Sequence, residues 1–89
     1  MQGRTVVITG GNSGIGLVAA RELARQGAAL VLACRASDKT AAALESINAV
    51  AATPAINVPV DLASLESVRR LAAELLARCP RIDVLINNA

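Results

Sequence analysis

The chain of 89 residues has no Phe, Tyr, Trp or His. Without aromatic rings, the largest single contributors to a core are missing, so any core must be built from Val, Ile, Leu and Ala. A domain of this length buries well under three-quarters of its unfolded surface, which predicts marginal stability. No aromatic platform interleaves with basic clusters and net charge is only +2, so nucleic acid is not an expected partner. Long apolar runs are lacking too. Val6-Val7-Ile8 and Val84-Leu85-Ile86 are strand-length, not membrane-length. A strand begins almost at the first residue, so no signal peptide is expected. Two cysteines, Cys34 and Cys79, give no metal-ligand spacing, and no metal is expected. They read as reduced thiols acting as small buried hydrophobes, which suits a cytoplasmic protein. What is abundant is aliphatic: hydrophobic residues make up 54%, which predicts apolar surface to be covered by something outside this chain.

The aliphatic residues alternate between two periodicities. Arg4 to Thr9 is a short β-branched run ended by Gly10-Gly11. Gly14 to Gln26 carries Ile15, Val18, Ala19, Leu23 and Ala24 at helical spacing, with Gly27 where a C-terminal cap belongs. Ala29 to Cys34 reads as a second strand. A helix over Lys39 to Val50 follows, capped by Ser37 or Asp38. Ile56 to Val60 reads as the third strand. Leu65 to Ala77 reads as a helix capped by Ser64, with Leu65, Val68, Leu71, Ala72 and Leu75 on one face. Ile82 to Ile86 is the fourth strand. The order β-α-β-α-β-α-β, with continuously apolar strands, predicts an α/β fold with a parallel sheet between helices. Right-handed crossovers make it a doubly wound Rossmann-type sheet of order 3-2-1-4, truncated relative to a full domain. Residues 1–89 are therefore expected to form one incomplete dinucleotide-binding domain. Its ligand belongs at the carboxyl ends of the strands, beside the reversal between strands 1 and 4.

The segment that meets that position is Thr9-Gly10-Gly11-Asn12-Ser13-Gly14-Ile15-Gly16. A glycine directly after the strand permits a turn that a Cβ would block. Gly14 opens the helix and lets backbone amides approach a pyrophosphate, and Gly16 lets the helix pack closely on the sheet. The helix N-terminus then offers unpaired N–H groups and the positive end of its dipole. A tight turn without a ligand is the plainer reading, but its place after the first strand of a βαβ unit favours phosphate. Gly14, Gly16 and Ala19 formally match a second register of the dinucleotide motif. The strand ends at Thr9, so Gly10 must be the turn glycine. A P-loop is excluded because no Gly-Lys-Ser/Thr follows.

Thr9-Gly10-x-x-x-Gly14-Ile15-Gly16 resembles the cofactor motif of the short-chain dehydrogenase/reductase family. Asp61-Leu62 after the third strand and Asn87-Asn88-Ala89 after the fourth fit the same family in order and position. Ala33-Cys34-Arg35 gives a further likeness to its retinol dehydrogenase-like members. The resemblance implies a nicotinamide dinucleotide held by Gly10, Asn12, Ser13, Gly14, Ile15 and Gly16. It implies that the Asp61 carboxylate and the Leu62 N–H meet the adenine, and that Asn88 and Ala89 line the ribose side. Helix capping is the alternative role for Asp61, and a structural role is the alternative for Asn87. NAD-preferring Rossmann proteins carry an acid at the end of strand 2 for the ribose 2′-hydroxyl. Here Cys34 and Arg35 stand there, so no carboxylate repels a 2′-phosphate and a guanidinium can pair with it. NADP is thus favoured over NAD; the alternative is a solvated loop charge at Arg35.

The same resemblance places the catalytic Ser and Tyr-x-x-x-Lys later in the sequence. This chain has no tyrosine, and its one lysine, Lys39, lies on the second helix. A general acid near neutral pH needs a tuned group at the reacting carbonyl, and no residue here qualifies. The expectation is the cofactor-binding part of an oxidoreductase that moves hydride between NADP(H) and a small alcohol or carbonyl. The complete enzyme is expected to be a homo-oligomer, and these 89 residues alone to be inactive. A stand-alone, non-catalytic nucleotide-binding module is the second hypothesis.

Overall fold

A computed structural model describes residues 2–88. The elements are β1 (Thr5–Thr9), α1 (Gly14–Arg25), β2 (Ala29–Ala33), α2 (Asp38–Asn48), β3 (Ile56–Asn57), α3 (Leu65–Arg78) and β4 (Val84–Asn87). All strand pairs are parallel and the sheet order is β3-β2-β1-β4, as the alternating pattern predicts.

Because side chains alternate along a strand, β1 and β2 feed two cores. Val6, Ile8, Leu30, Leu32 and Cys34 pack with Ala20 and Ala24 of α1 and Ile47 of α2. Val7, Val31 and Ala33 face the other way and meet Val58, Val60 and Leu71 of α3. Both faces of the sheet are covered, which is why β2 is apolar throughout and β1 is apolar between Thr5 and Thr9. The two layers are unequal. On α3 only Leu71 is fully buried, with Val68 and Leu75 partly so. Burying one such side chain is worth about 1.5–3 kcal/mol, so α3 is the more weakly held helix.

The inward face of α1 differs from the periodicity reading. Ile15 and Val18 are 84% and 70% exposed, and the buried stripe is Gly16, Ala20 and Ala24. Small residues at i, i+4 and i+8 let the helix axis approach the sheet; Ile15 and Val18 turn outward, while Leu17 and Leu23 pack at the margin of the buried stripe. Its C-terminus follows the sequence reading. Gly27 has φ +94°, with its N–H on the Ala24 carbonyl and the Ala28 N–H on the Leu23 carbonyl. That pair of bonds is a Schellman cap, which needs a left-handed residue at this position.

Two strands are displaced from their predicted ranges. Regular β3 ends at Asn57, not Val60. The Asn57 side chain takes over the pairing: its Oδ1 accepts from the Cys34 N–H at 3.1 Å, and its Nδ2 donates to the Cys34 carbonyl at 3.2 Å. Pro59 has no N–H to extend the ladder. The strand β4 starts at Val84, two residues late, because Asp83 occupies its lower end. The Asp83 Oδ2 accepts from the Thr5 N–H at 2.8 Å, and the Asp83 N–H donates to the Thr5 carbonyl at 2.9 Å. Arg81 Nε lies 2.7 Å from the carboxylate and Arg4 Nη1 3.7 Å. The Thr5 N–H is the main reason that the Asp83 carboxyl is held below the usual carboxylate range, with the two arginines adding to it and burial opposing it.

Candidate functional site

The carboxyl ends of β1, β2 and the β3 segment open onto a cleft of about 320 Å³. Gly10 and Asn12 come from the β1–α1 turn, Arg35 from the β2–α2 connection, and Asp61 and Leu62 from the segment before α3. Five of the residues singled out in the sequence thus share one wall or another of a single cleft. Its apolar lining is supplied by Ala33 and Cys34, which precede Arg35 in the motif at the end of strand 2, and by Val60 and Ala63, which the motifs do not mark. Cys34 and Val60 were open to prediction as the last apolar residues of their strand runs. A cleft lined by both apolar side chains and polar groups suits a heterocycle that carries hydrogen-bonding edges.

Each wall has a local cause. Gly10 has φ +66°, a left-handed turn conformation that a Cβ would strain. Gly11 is buried, and a Cβ there would lie 2.7 Å from Leu32 Cδ2, so its need for glycine is packing. Gly14 also has a positive φ, +56°, yet the space around it is open. A glycine with open space at the first position of a helix keeps the approach to the helix end clear. Ser13 is the N-cap of α1 but its side chain makes no capping bond, and the first turn has no acidic residue. By contrast, Ser37 caps α2 by accepting from the Thr40 N–H, and Ser64 caps α3 by accepting from the Ser67 N–H. Of the three helices, α1 alone has its N-terminal donors free of a side-chain cap.

Asp61 is not the cap of α3. Its Oδ1 accepts from the Ala63 N–H at 3.0 Å, closing a local turn, while its own N–H donates to Ser67 Oγ at 2.8 Å. Arg35 is exposed and borders a second hollow, with Asp61, Ser67 and Arg70, that adjoins the first.

The end of β4 is bound to the glycine turn by a compact set of bonds. The Thr9 hydroxyl donates to Asn87 Oδ1 at 3.0 Å and accepts from the Asn88 N–H at 3.0 Å. Asn88 Nδ2 donates to the Gly10 carbonyl at 3.1 Å. A Cβ on Gly16 would collide with that Asn88 amide and would lie 2.8 Å from the Gly10 oxygen. Asn87 therefore has a structural bond to Thr9, and Asn88 props the turn from behind. Ser13, Gly14, Ile15, Gly16 and Asn88 do not line the cleft; they form or support the α1 terminus beside it. Ala89 lies outside the described residues. Thr40 was missed by sequence reading. It is buried, and its hydroxyl meets Asn12, Ser37 and the Arg35 carbonyl. The Ser37-x-x-Thr40 spacing was the available signal. Among the described residues no group of three or more metal-ligating side chains forms, and no helix is long and apolar enough to cross a membrane.

Comparisons agree with this geometry. The family model for short chain dehydrogenases matches residues 4–89. Human "Dehydrogenase/reductase SDR family member 13" is 49% identical over all of this chain and 24% of its own length. Human "Retinol dehydrogenase 13" is 46% identical over 98% of this chain and 27% of its own. The chain spans about a quarter of the length of these curated relatives. Among solved structures, L-sorbose reductase from Gluconobacter frateurii, complexed with NADPH and L-sorbose, superposes with a TM-score of 0.88 at 35% identity. It is covered over 100% of this chain and 34% of that one. A short-chain type dehydrogenase/reductase from Mycobacterium ulcerans gives 0.89 at 30% identity, over 100% of this chain and 33% of that one.

Proposed function

Since this chain belongs to the short-chain dehydrogenase/reductase family, we propose that it is the NADP-binding part of an oxidoreductase acting on a small alcohol or carbonyl substrate. One observation carries the reading. The uncapped N-terminus of α1, opened by Gly14, stands beside the cleft that Asn12, Arg35 and Asp61 border.

The fit to a dinucleotide is chemical and steric. The free N–H groups of α1 and its positive dipole end suit a pyrophosphate, and Gly14 leaves room for it. Apolar Ala33, Cys34, Val60 and Leu62 suit an adenine face, with the Asp61 carboxylate and Leu62 N–H at its polar edge. Arg35 supplies a guanidinium where NAD-preferring Rossmann proteins place an acid, which supports a 2′-phosphate. Asn88, bonded to the Gly10 carbonyl beside the cleft, is on this reading the residue nearest the ribose side. When bound, the nicotinamide ring supplies the hydride. The residues of this chain bind and orient; none moves a proton at a reacting carbonyl. The sequence has no tyrosine, and its one lysine, Lys39, lies in the first turn of α2. The proposed division of labour leaves proton transfer, substrate choice and subunit assembly to the rest of the complete enzyme.

Calorimetric titration of the 89-residue chain with NADPH, paired with an absorbance assay on aldehydes and ketones, tests this. Saturable binding without turnover is the expected result. Turnover abolished by substitution in the glycine turn would overturn the division of labour, and absence of binding by the complete protein would overturn the cofactor reading.

A further inference from the structure

We propose that Thr40 is the positioning residue that locks the phosphate-facing turn to the Arg35 connection, so that grip on the pyrophosphate and choice of the 2′-phosphate are set together. This rests on the cofactor reading above, but the observations behind it are separate.

Thr40 sits in the first turn of α2 and is 3% exposed. A buried hydroxyl must be satisfied, and this one is satisfied completely. It has one proton and two acceptor positions. The proton goes to the Arg35 carbonyl at 2.7 Å. The acceptor positions take Asn12 Nδ2 at 3.1 Å and the Ser37 hydroxyl at 3.2 Å. Ser37 in turn accepts from the Thr40 N–H at 3.1 Å, which caps the helix. One side chain thus joins three chain segments around the cleft: the glycine turn through Asn12, the β2–α2 connection through Arg35, and the helix start through Ser37.

Capping alone does not require this. The Ser37 bond to the Thr40 N–H would exist with any residue at 40. The hydroxyl adds a bond across 28 residues of sequence to the amide of Asn12, which borders the cleft. It also fixes the backbone carbonyl of the residue whose guanidinium is proposed to read the 2′-phosphate. Arg35 is exposed and lies outside β2, so the Thr40 bond is a specific restraint on where its side chain starts. Asn12 alone matters for both dinucleotides. The Arg35 restraint matters for the phosphorylated one. Loss of the hydroxyl should therefore weaken NADPH more than NADH.

The experiment is calorimetric titration of the complete protein with NADPH and, separately, NADH, for wild type, Thr40→Val and Thr40→Ser. Valine keeps the volume and removes the hydroxyl; serine keeps the hydroxyl. Thr40→Val is expected to raise the NADPH Kd about tenfold and the NADH Kd about threefold, the scale set by lost hydrogen bonds. Thr40→Ser should restore the wild-type ratio of the two constants. A general loss of stability would weaken both dinucleotides alike, so the ratio separates positioning from folding. If Thr40→Val does not fold, Thr40→Cys replaces it, with similar volume and a weaker hydrogen-bonding group, and an intermediate ratio is expected. An unchanged ratio in the variants, or equal losses in valine and serine, overturns the positioning role. Wild-type protein that binds both dinucleotides equally overturns instead the 2′-phosphate reading of Arg35. Wild-type protein that binds neither overturns the cofactor reading together with this inference.

Discussion

Replacing Gly16 by alanine should destabilise the protein, although the change favours helix by about 1 kcal/mol on intrinsic propensity. Gly16 is buried in the first turn of α1, and the added methyl would lie 2.8 Å from the Gly10 carbonyl oxygen and closer still to the Asn88 amide. The Asn88 amide is the end of a side chain and can swing aside, but the Gly10 oxygen belongs to a backbone turn at φ +66° and does not yield easily. The methyl would also displace the bond from Asn88 to Gly10, worth about 1 kcal/mol, which offsets the propensity gain. What remains is overpacking. The helix must retreat from the sheet by about 0.5 Å or more, which loosens Ala20 and Ala24 and forfeits a quarter or more of their contact energy. Such overpacking costs about 1–3 kcal/mol, and that is the expected net loss. Gly14→Ala is the control. It meets only open space, so its cost is the strain of a positive φ, about 1–2 kcal/mol, with no movement of the helix. Urea unfolding of wild type and both variants, each with and without NADPH, gives the numbers. Gly16→Ala should lose both stability and NADPH-induced stabilisation, because the turn and the α1 terminus shift together. A Gly16→Ala protein as stable as wild type would refute the close approach of α1 and with it the geometry of the turn.

Two further outcomes are expected. Arg35→Ala in the complete enzyme should weaken NADPH by about 1.5–3 kcal/mol, the worth of a charge-assisted hydrogen bond, and leave NADH nearly unchanged; equal losses by calorimetry would remove Arg35 from 2′-phosphate recognition. The Asp83 carboxyl is held below its ordinary range, so it stabilises the fold above the unfolded aspartate pKa of about 3.9, and that contribution disappears as pH falls through the lower folded value. Urea midpoints taken from pH 6 down to about pH 2 should therefore fall less steeply below pH 4 in Asp83→Asn than in wild type, and parallel curves would show that Asp83 adds nothing to the β1–β4 clamp.

The site was more legible than the fold's finer contacts. The glycine spacing, Arg35 and the Asp61-Leu62 pair each carry a chemical requirement that a short segment expresses alone. A residue that must turn with positive φ, or that must present a charge at a strand end, shows it in its own identity. Val60 and Ala63 join the cleft only because strand ends converge, and an apolar residue at a strand end does not announce a ligand surface. Asn57 and Asp83 were passed over for a similar reason. Each substitutes a side chain for a backbone partner, and such a substitution depends on the neighbouring strand.

By itself the sequence determined the alternation of elements, their parallel arrangement, the strand order and the place of the glycine turn. Those follow from the period of apolar residues, the handedness of crossovers and the need for glycine where φ is positive. Only the tertiary structure decided which side of α1 lies inward. The helical period allowed Ile15 and Val18, but the fully buried stripe against the sheet is Gly16, Ala20 and Ala24, with Leu17 and Leu23 packed at its margin. It also decided that Thr40 bonds to Asn12, because a hydroxyl's partners are chosen by what the fold brings within 3 Å or so of it, here a turn 28 residues away.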